Sequence, residues 1–120
     1  MQVQLLKSKI HRGQITGSNL NYEGSLTIDR TLMEKAGLRV HEKILASNLA
    51  NGHRFETYVI AGEAGSGAII LNGATSHLGK AGDRLTIMNF ATFGQAKAKK
   101  WKPRVIVLGK GNKIVDKRGI

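Results

Sequence analysis

The sequence predicts a single, mainly β domain closed into a small barrel, and three observations point there. Apolar runs are short and without a helical period, glycine or Asn-Gly turns separate most of them, and few stretches carry helix start and stop signals. Many short strands with glycine turns suit a closed barrel better than an open sheet, because closure removes unpaired edges. At 120 residues the chain makes one domain, able to bury roughly two thirds of the surface its unfolded form exposes.

Taken in order, residues 2–16 hold Val3, Leu5, Leu6, Ile10 and Ile15, which suits a long, twisted or interrupted strand. Residues 25–28 read as a short strand. Thr31 followed by Glu34 forms a capping-box pattern, and Leu32, Met33 and Ala36 lead to Gly37 as a helix stop, so a helix of about two turns is expected. Ile44–Leu49, the turn Asn51-Gly52 and Arg54–Ala61 make the clearest hairpin. Gly62–Gly67 turns the chain into a strand at 68–71, and Gly73–His77 reads as a second helical turn. Leu85–Phe93 is another strand, with Leu85, Ile87, Asn89 and Ala91 on one face and Thr86, Met88 and Phe90 on the other. Residues 94–103 read as a linker, and Arg104–Leu108 with Lys113–Asp116 as a final hairpin.

Composition bounds the chemistry. The chain has no cysteine, which excludes disulfide and thiolate-metal frameworks and suits a reducing compartment. His11, His41, His53 and His77 lack a metal-ligand spacing, so no metal is expected. The N-terminus lacks a signal pattern and no apolar run approaches the ~20 residues of a membrane span, which predicts a cytoplasmic protein without membrane contact. Net charge is +11, and nine of the basic residues fall within residues 97–120, opposed there only by Asp116. Such an end can attract phosphate backbones. With Trp101 its only stacking aromatic, a solvated basic terminus is the simpler reading and a nucleic-acid partner is not expected.

Function is carried by Tyr22-Glu23-Gly24-Ser25, read with Lys9-Ile10-His11-Arg12 before it and Asn51-Gly52-His53-Arg54-Phe55-Glu56-Thr57-Tyr58 after it. Leu71-Asn72-Gly73-Ala74 and Gly82-Asp83 follow in order. Alone, each is ordinary: a Gly-Ser pair marks a turn, and an arginine beside a hairpin turn is usually solvated. Together, over most of residues 5–105, they resemble the aspartate 1-decarboxylase family. The resemblance implies a six-stranded double-psi β-barrel with one or two short helices, assembled as a homotetramer with active sites between subunits. It implies self-cleavage between Gly24 and Ser25 into residues 1–24 and 25–120, with or without a maturation factor. Ser25 then becomes a pyruvoyl group, the only cofactor, in place of pyridoxal phosphate.

The chemistry sets requirements on these residues. The Ser25 hydroxyl must attack the preceding carbonyl, so that peptide must be held bent, and Gly24 helps by lacking a Cβ. The rearranging carbonyl needs hydrogen-bond donors aimed at it. By resemblance, Thr57 and Asn72 orient or stabilise this step, with His11 as a polar helper. The mature ketone would take the amine of L-aspartate as a Schiff base and accept the electron pair as carbon dioxide leaves, giving β-alanine for pantothenate and coenzyme A synthesis. Arg54 matches the family's carboxylate-binding arginine, Lys9 a second pocket cation and Tyr58 the proton donor, a bound water being the alternative source. Thr57, Asn72, Gly73, Ala74 and Thr75 complete the implied substrate site. Along an ideal strand Arg54 and Tyr58 share a face about 13 Å apart, and Thr57 falls on the other face unless a bulge intervenes. The chain departs from the family pattern at Ser47, where some relatives have tryptophan, at Thr75, where a second alanine is usual, and at the basic run Gln95–Lys100. A binding module that never cleaves and uses its lysine-rich end on nucleic acid is the competing reading.

Overall fold

A computed structural model describes residues 1–120. Nine strands carry the fold: β1 Gln2–Gln14, β2 Gly17–Asn19, β3 Ser25–Asp29, β4 Lys43–Asn48, β5 Arg54–Gly62, β6 Ile69–Asn72, β7 Arg84–Gly94, β8 Arg104–Leu108 and β9 Ile114–Arg118. Two short helices, α1 Arg30–Ala36 and α2 Gln95–Lys100, and 3-10 turns at Gly73–Leu78 and Lys110–Asn112 complete it. Alternation decides which face each strand buries. In β5, Phe55 and Val59 are buried while Arg54, Glu56 and Tyr58 are exposed, as expected for side chains that alternate across a sheet. Ile10, Leu26, Ile44, Ile69, Ile87 and Ile106, each at most 1% exposed, meet in one core.

The hydrogen-bonded order is β2-β6-β3-β5-β4-β7-β1-β8-β9. The pairs β1–β8, β2–β6 and β3–β5 are parallel and the others antiparallel. β1 and β2 stand six places apart in this order, which in a flat sheet would be about 29 Å. Yet Gln14 and Gly17, their adjoining ends, are three residues apart and so at most about 11 Å. The sheet therefore curls strongly on itself. Thr16 N–H donates to Ile69 O at 2.8 Å and Ile15 N–H to Asp83 O at 2.9 Å, fastening the exit of β1 to β6 and to the approach of β7. The expected interruption of the first strand appears as register shifts between Leu6 and Ser8 and between Ile10 and Gly13.

Two local readings are corrected. The N-cap of α1 is Asp29 and not Thr31, because the Asp29 carboxylate accepts the Thr31 N–H at 2.8 Å and leaves the capping box unused. Gly37 ends that helix as expected, at φ 75°. Residues 95–100, expected as linker, form α2, whose exit is pinned by Trp101: its indole N–H donates to Leu6 O at 2.8 Å and its ring lies 4.7 Å from that of Phe93. The single aromatic of the basic end is thus engaged within the fold. One strand had no sequence reading at all: β2, three residues without an apolar pattern, exists through its pairing with β6. No helix is long and apolar enough to cross a membrane.

Candidate active site

Gly24 and Ser25 have consecutive positive φ angles, 119° and 109°. Glycine adopts such angles freely; for serine the cost is about 1–3 kcal/mol, so the surroundings must impose it. They do so from both sides of β3. Ser25 pairs with Asn72 of β6, and Leu26 pairs with Val59 of β5. The Asn72 amide donates to Ser25 Oγ at 3.0 Å and to Thr27 Oγ1 at 2.8 Å, using both its protons. Ser25 is 1% exposed and Asn72 4%, so this small polar network is shielded from competing water. Beyond Asn72 the backbone turns at Gly73, φ 66°, into the 3-10 segment, where Thr75 Oγ1 donates back to Asn72 O at 2.9 Å. Ala74 is exposed.

The parallel register places two more residues. Leu26 pairs with Val59, so Tyr58 and Thr57 lie just before that partner on β5, near the start of β3. Tyr58 is 40% exposed, and its ring centre lies 6.2 Å from that of His41. The β4–β5 pairing runs without a shift from Lys43–Tyr58 to Ser47–Arg54. No bulge intervenes, and Thr57 lies on the core side with Phe55 and Val59, opposite to Tyr58 and Arg54.

Lys9, His11 and Arg54 form a second group. Lys9 pairs with Met88, which pairs with Leu45, and Thr86 pairs with Ser47, which pairs with Arg54. His11 Nδ1 lies 3.3 Å from Thr86 Oγ1. Burial lowers the His11 pKa from its ordinary value, and the nearby cations Lys9, Arg12 and Arg118 lower it further, favouring the neutral ring. β1, which carries Lys9 and His11, stands four places from β3 in the strand order. Within one chain, then, Asn72 and Gly73 meet the Gly24–Ser25 junction, Thr57 and Tyr58 stand on the neighbouring strand with their side chains on opposite faces, and Lys9, His11 and Arg54 line a separate stretch of sheet.

Sequence reasoning missed Thr27 and Asn19. Thr27 shares the Asn72 amide, and strand alternation from Ser25 would have found it. Asn19 pairs with Asn72 from the far side and was hidden because β2 has no apolar signature.

These features define a small mainly β protein built around one strained Gly-Ser junction gripped by an asparagine amide. The family model for aspartate decarboxylase matches residues 1–115, and the chain belongs to that family. Over 95% of its length it is 48% identical to the aspartate 1-decarboxylase of Clostridium acetobutylicum, covering 90% of that protein. It is 49% identical to the aspartate 1-decarboxylase of Caldicellulosiruptor saccharolyticus, over 96% of this chain and 90% of the relative. To that of Thermoanaerobacter pseudethanolicus it is 47% identical, over 97% and 99%.

Proposed function

We propose that this chain removes the α-carboxylate of L-aspartate, releasing carbon dioxide and β-alanine for pantothenate and coenzyme A synthesis in the cytoplasm, with a pyruvoyl group made from its own Ser25. The observation that carries the reading is the Gly24–Ser25 junction, positive in φ at both residues and held by the Asn72 amide, in a chain of this family. A strained peptide next to a shielded, oriented hydroxyl is what an intramolecular acyl shift requires.

In self-cleavage Ser25 Oγ adds to the Gly24 carbonyl carbon. Its proton passes to the Ser25 nitrogen as the C–N bond breaks, leaving an ester. Loss of the Ser25 α-proton expels the Gly24 carboxylate, and water then replaces the nitrogen, which leaves as ammonia. One water is consumed for each ammonia released. Asn72 holds Oγ in place, and Thr57, on the strand beside β3, offers a donor to the carbonyl oxygen as it gains charge.

Residue 25 fits the cofactor, since the serine from which it forms is buried and held at its hydroxyl. When formed, that group supplies a sink for the electron pair left by departing carbon dioxide. Arg54 holds a substrate carboxylate through the paired N–H groups of its guanidinium, and Lys9 adds a second cation. Tyr58 holds the proton for the substrate carbon. The backbone at 73–75 lines the substrate. Because Lys9, His11 and Arg54 lie apart from Ser25 in one chain, each site is completed by a neighbouring copy within a homotetramer. The short link from Gln14 to Gly17 supports closure of the sheet into a six-stranded double-psi barrel.

Intact mass spectrometry of the denatured protein tests the reading. Fragments 1–24 and 25–120, with the larger lighter by one ammonia than plain hydrolysis gives, are expected together with β-alanine production. A chain that stays whole after heating or incubation with cell extract, and leaves L-aspartate unchanged, would refute it.

A further inference from the structure

The loop from Leu20 to Gly24 has a particular route to travel. β2 and β3 flank β6 on its two sides, so the connection between them must pass over the end of β6, where the chain leaves at Gly73. The crossing is close. A Cβ added to Gly73 would lie 2.8 Å from Gly24 N, 2.8 Å from Tyr22 O and 2.9 Å from Gly24 Cα. All three are backbone atoms, so none can swing aside as a flexible side-chain end does. A Cβ on Gly24, by contrast, meets nothing within 4 Å. Glycine at 24 answers to its backbone angle, whereas glycine at 73 answers also to space.

The start of the loop is fastened independently. Asn19 Oδ1 accepts the Asn21 N–H at 3.2 Å, and Asn19 O accepts the Tyr22 N–H at 3.3 Å. Asn19 itself is paired with Asn72, which on its other side pairs with Ser25. The end of β6 therefore touches the loop where it begins, where it crosses and where it ends.

We propose that Gly73 is a positioning residue for self-cleavage: the space left by its missing Cβ is the seat on which Tyr22–Gly24 rests, and this seat sets the Gly24 carbonyl against the Ser25 hydroxyl. Asn19 holds the other end of the same loop. The inference rests on the self-cleavage proposed above and adds to it the element that aims the scissile peptide. Neither residue touches the reacting atoms through a side chain; they act by placing the loop.

The test follows cleavage of freshly made protein by intact mass in the wild type and in Gly73→Ala, Gly65→Ala and Asn19→Ala. Gly65 also has a positive φ, 81°, but open space around its Cβ, so Gly65→Ala carries the backbone strain without the contact and is expected to cleave like the wild type. Gly73→Ala is expected to melt cooperatively yet cleave about a hundredfold more slowly, the scale of a misplaced reacting group. Neutral hydroxylamine, which cuts an ester far faster than a peptide bond, is expected to give no cut between residues 24 and 25 in that variant, because the acyl shift itself fails; any slow cut at Asn51-Gly52 is told apart by its fragment masses. Cleavage of Gly73→Ala at the Gly65→Ala rate, or its accumulation as a hydroxylamine-sensitive ester, would overturn the inference. Asn19 is exposed, and its replacement spares the core; about two- to tenfold slower cleavage is expected from the lost loop hydrogen bond. Should Gly73→Ala fail to fold, wild-type cleavage in Asn19→Ala overturns the inference. A wild-type chain that never cleaves would overturn the self-cleavage reading, and this inference with it.

Discussion

At Ser25 two demands coincide: the backbone must hold an angle that serine resists, and the hydroxyl must point one way. Asn72 meets the second through its amide, and the pairing of β3 on both sides meets the first. Asn72→Ala removes the oriented donor, and cleavage is expected to slow by about a hundredfold or more, comparable to the loss of an oxyanion donor; fragment appearance by mass spectrometry reads this directly. Ser25→Ala is expected to remain one chain without activity, and a cleaved, active variant would sink the mechanism. Arg54 separates the two stages, since it lies about 13 Å along β5 from Tyr58. Arg54→Ala is expected to cleave normally while kcat/KM for L-aspartate falls roughly ten- to hundredfold, the range of a charge-assisted hydrogen bond. Unchanged kinetics would remove Arg54 from the substrate site. These residues stood out because they recur together in one order; Thr27 lay one alternation from Ser25, whereas Asn19 meets Asn72 through a pairing that a linear reading does not display.

Among the elements, α1 shows how a correct boundary can rest on a wrong cap. Thr31 and Glu34 spell a capping box, but Asp29 lies at the end of β3 and reaches two segments at once. Its Oδ1 accepts from Thr31 N and from Gly65 N at 3.1 Å, and its Oδ2 accepts from Gly67 N at 2.8 Å. Burial pushes the Asp29 carboxyl up, but these N–H groups together outweigh it and hold the pKa below the ordinary 3.8. A carboxyl that ionises more readily in the folded chain stabilises it above the unfolded value and loses that contribution as pH falls through the folded one. Asp29→Asn is therefore expected to lower stability near neutral pH by about 1–3 kcal/mol, with a shallower decline below pH 3.8 than the wild type. Thermal melts across that range check both points. The helix α2 was unreadable for the opposite reason: Gln95–Lys100 has no apolar face and no buried residue, and what fixes its end is Trp101, whose partner Leu6 is distant in sequence.

For the molecule as a whole, alternation and turn chemistry disclosed most of the strands, because each strand buries one face and glycine or Asn-Gly turns punctuate them. Strand order was not legible, since three of the eight pairings are parallel and join segments far apart in the chain. The separation of Lys9, His11 and Arg54 from Ser25 likewise emerges only in three dimensions. It predicts that Ser25→Ala chains mixed with Arg54→Ala chains regain activity when co-expressed, because some mixed sites then hold both intact groups; absence of any recovered turnover would argue that each site is built from one chain. One last point follows from where residues 1–24 run. β1 lies between β7 and β8, inside the sheet, so the short fragment of the proposed cleavage is woven through the larger one. On that proposal the chain folds while it is still one molecule, and only then is cut. A protein matured in the proposed way would, once denatured, be two strangers with no covalent memory of their pairing and without the serine that started the process: its active form would be reached by history rather than by equilibrium.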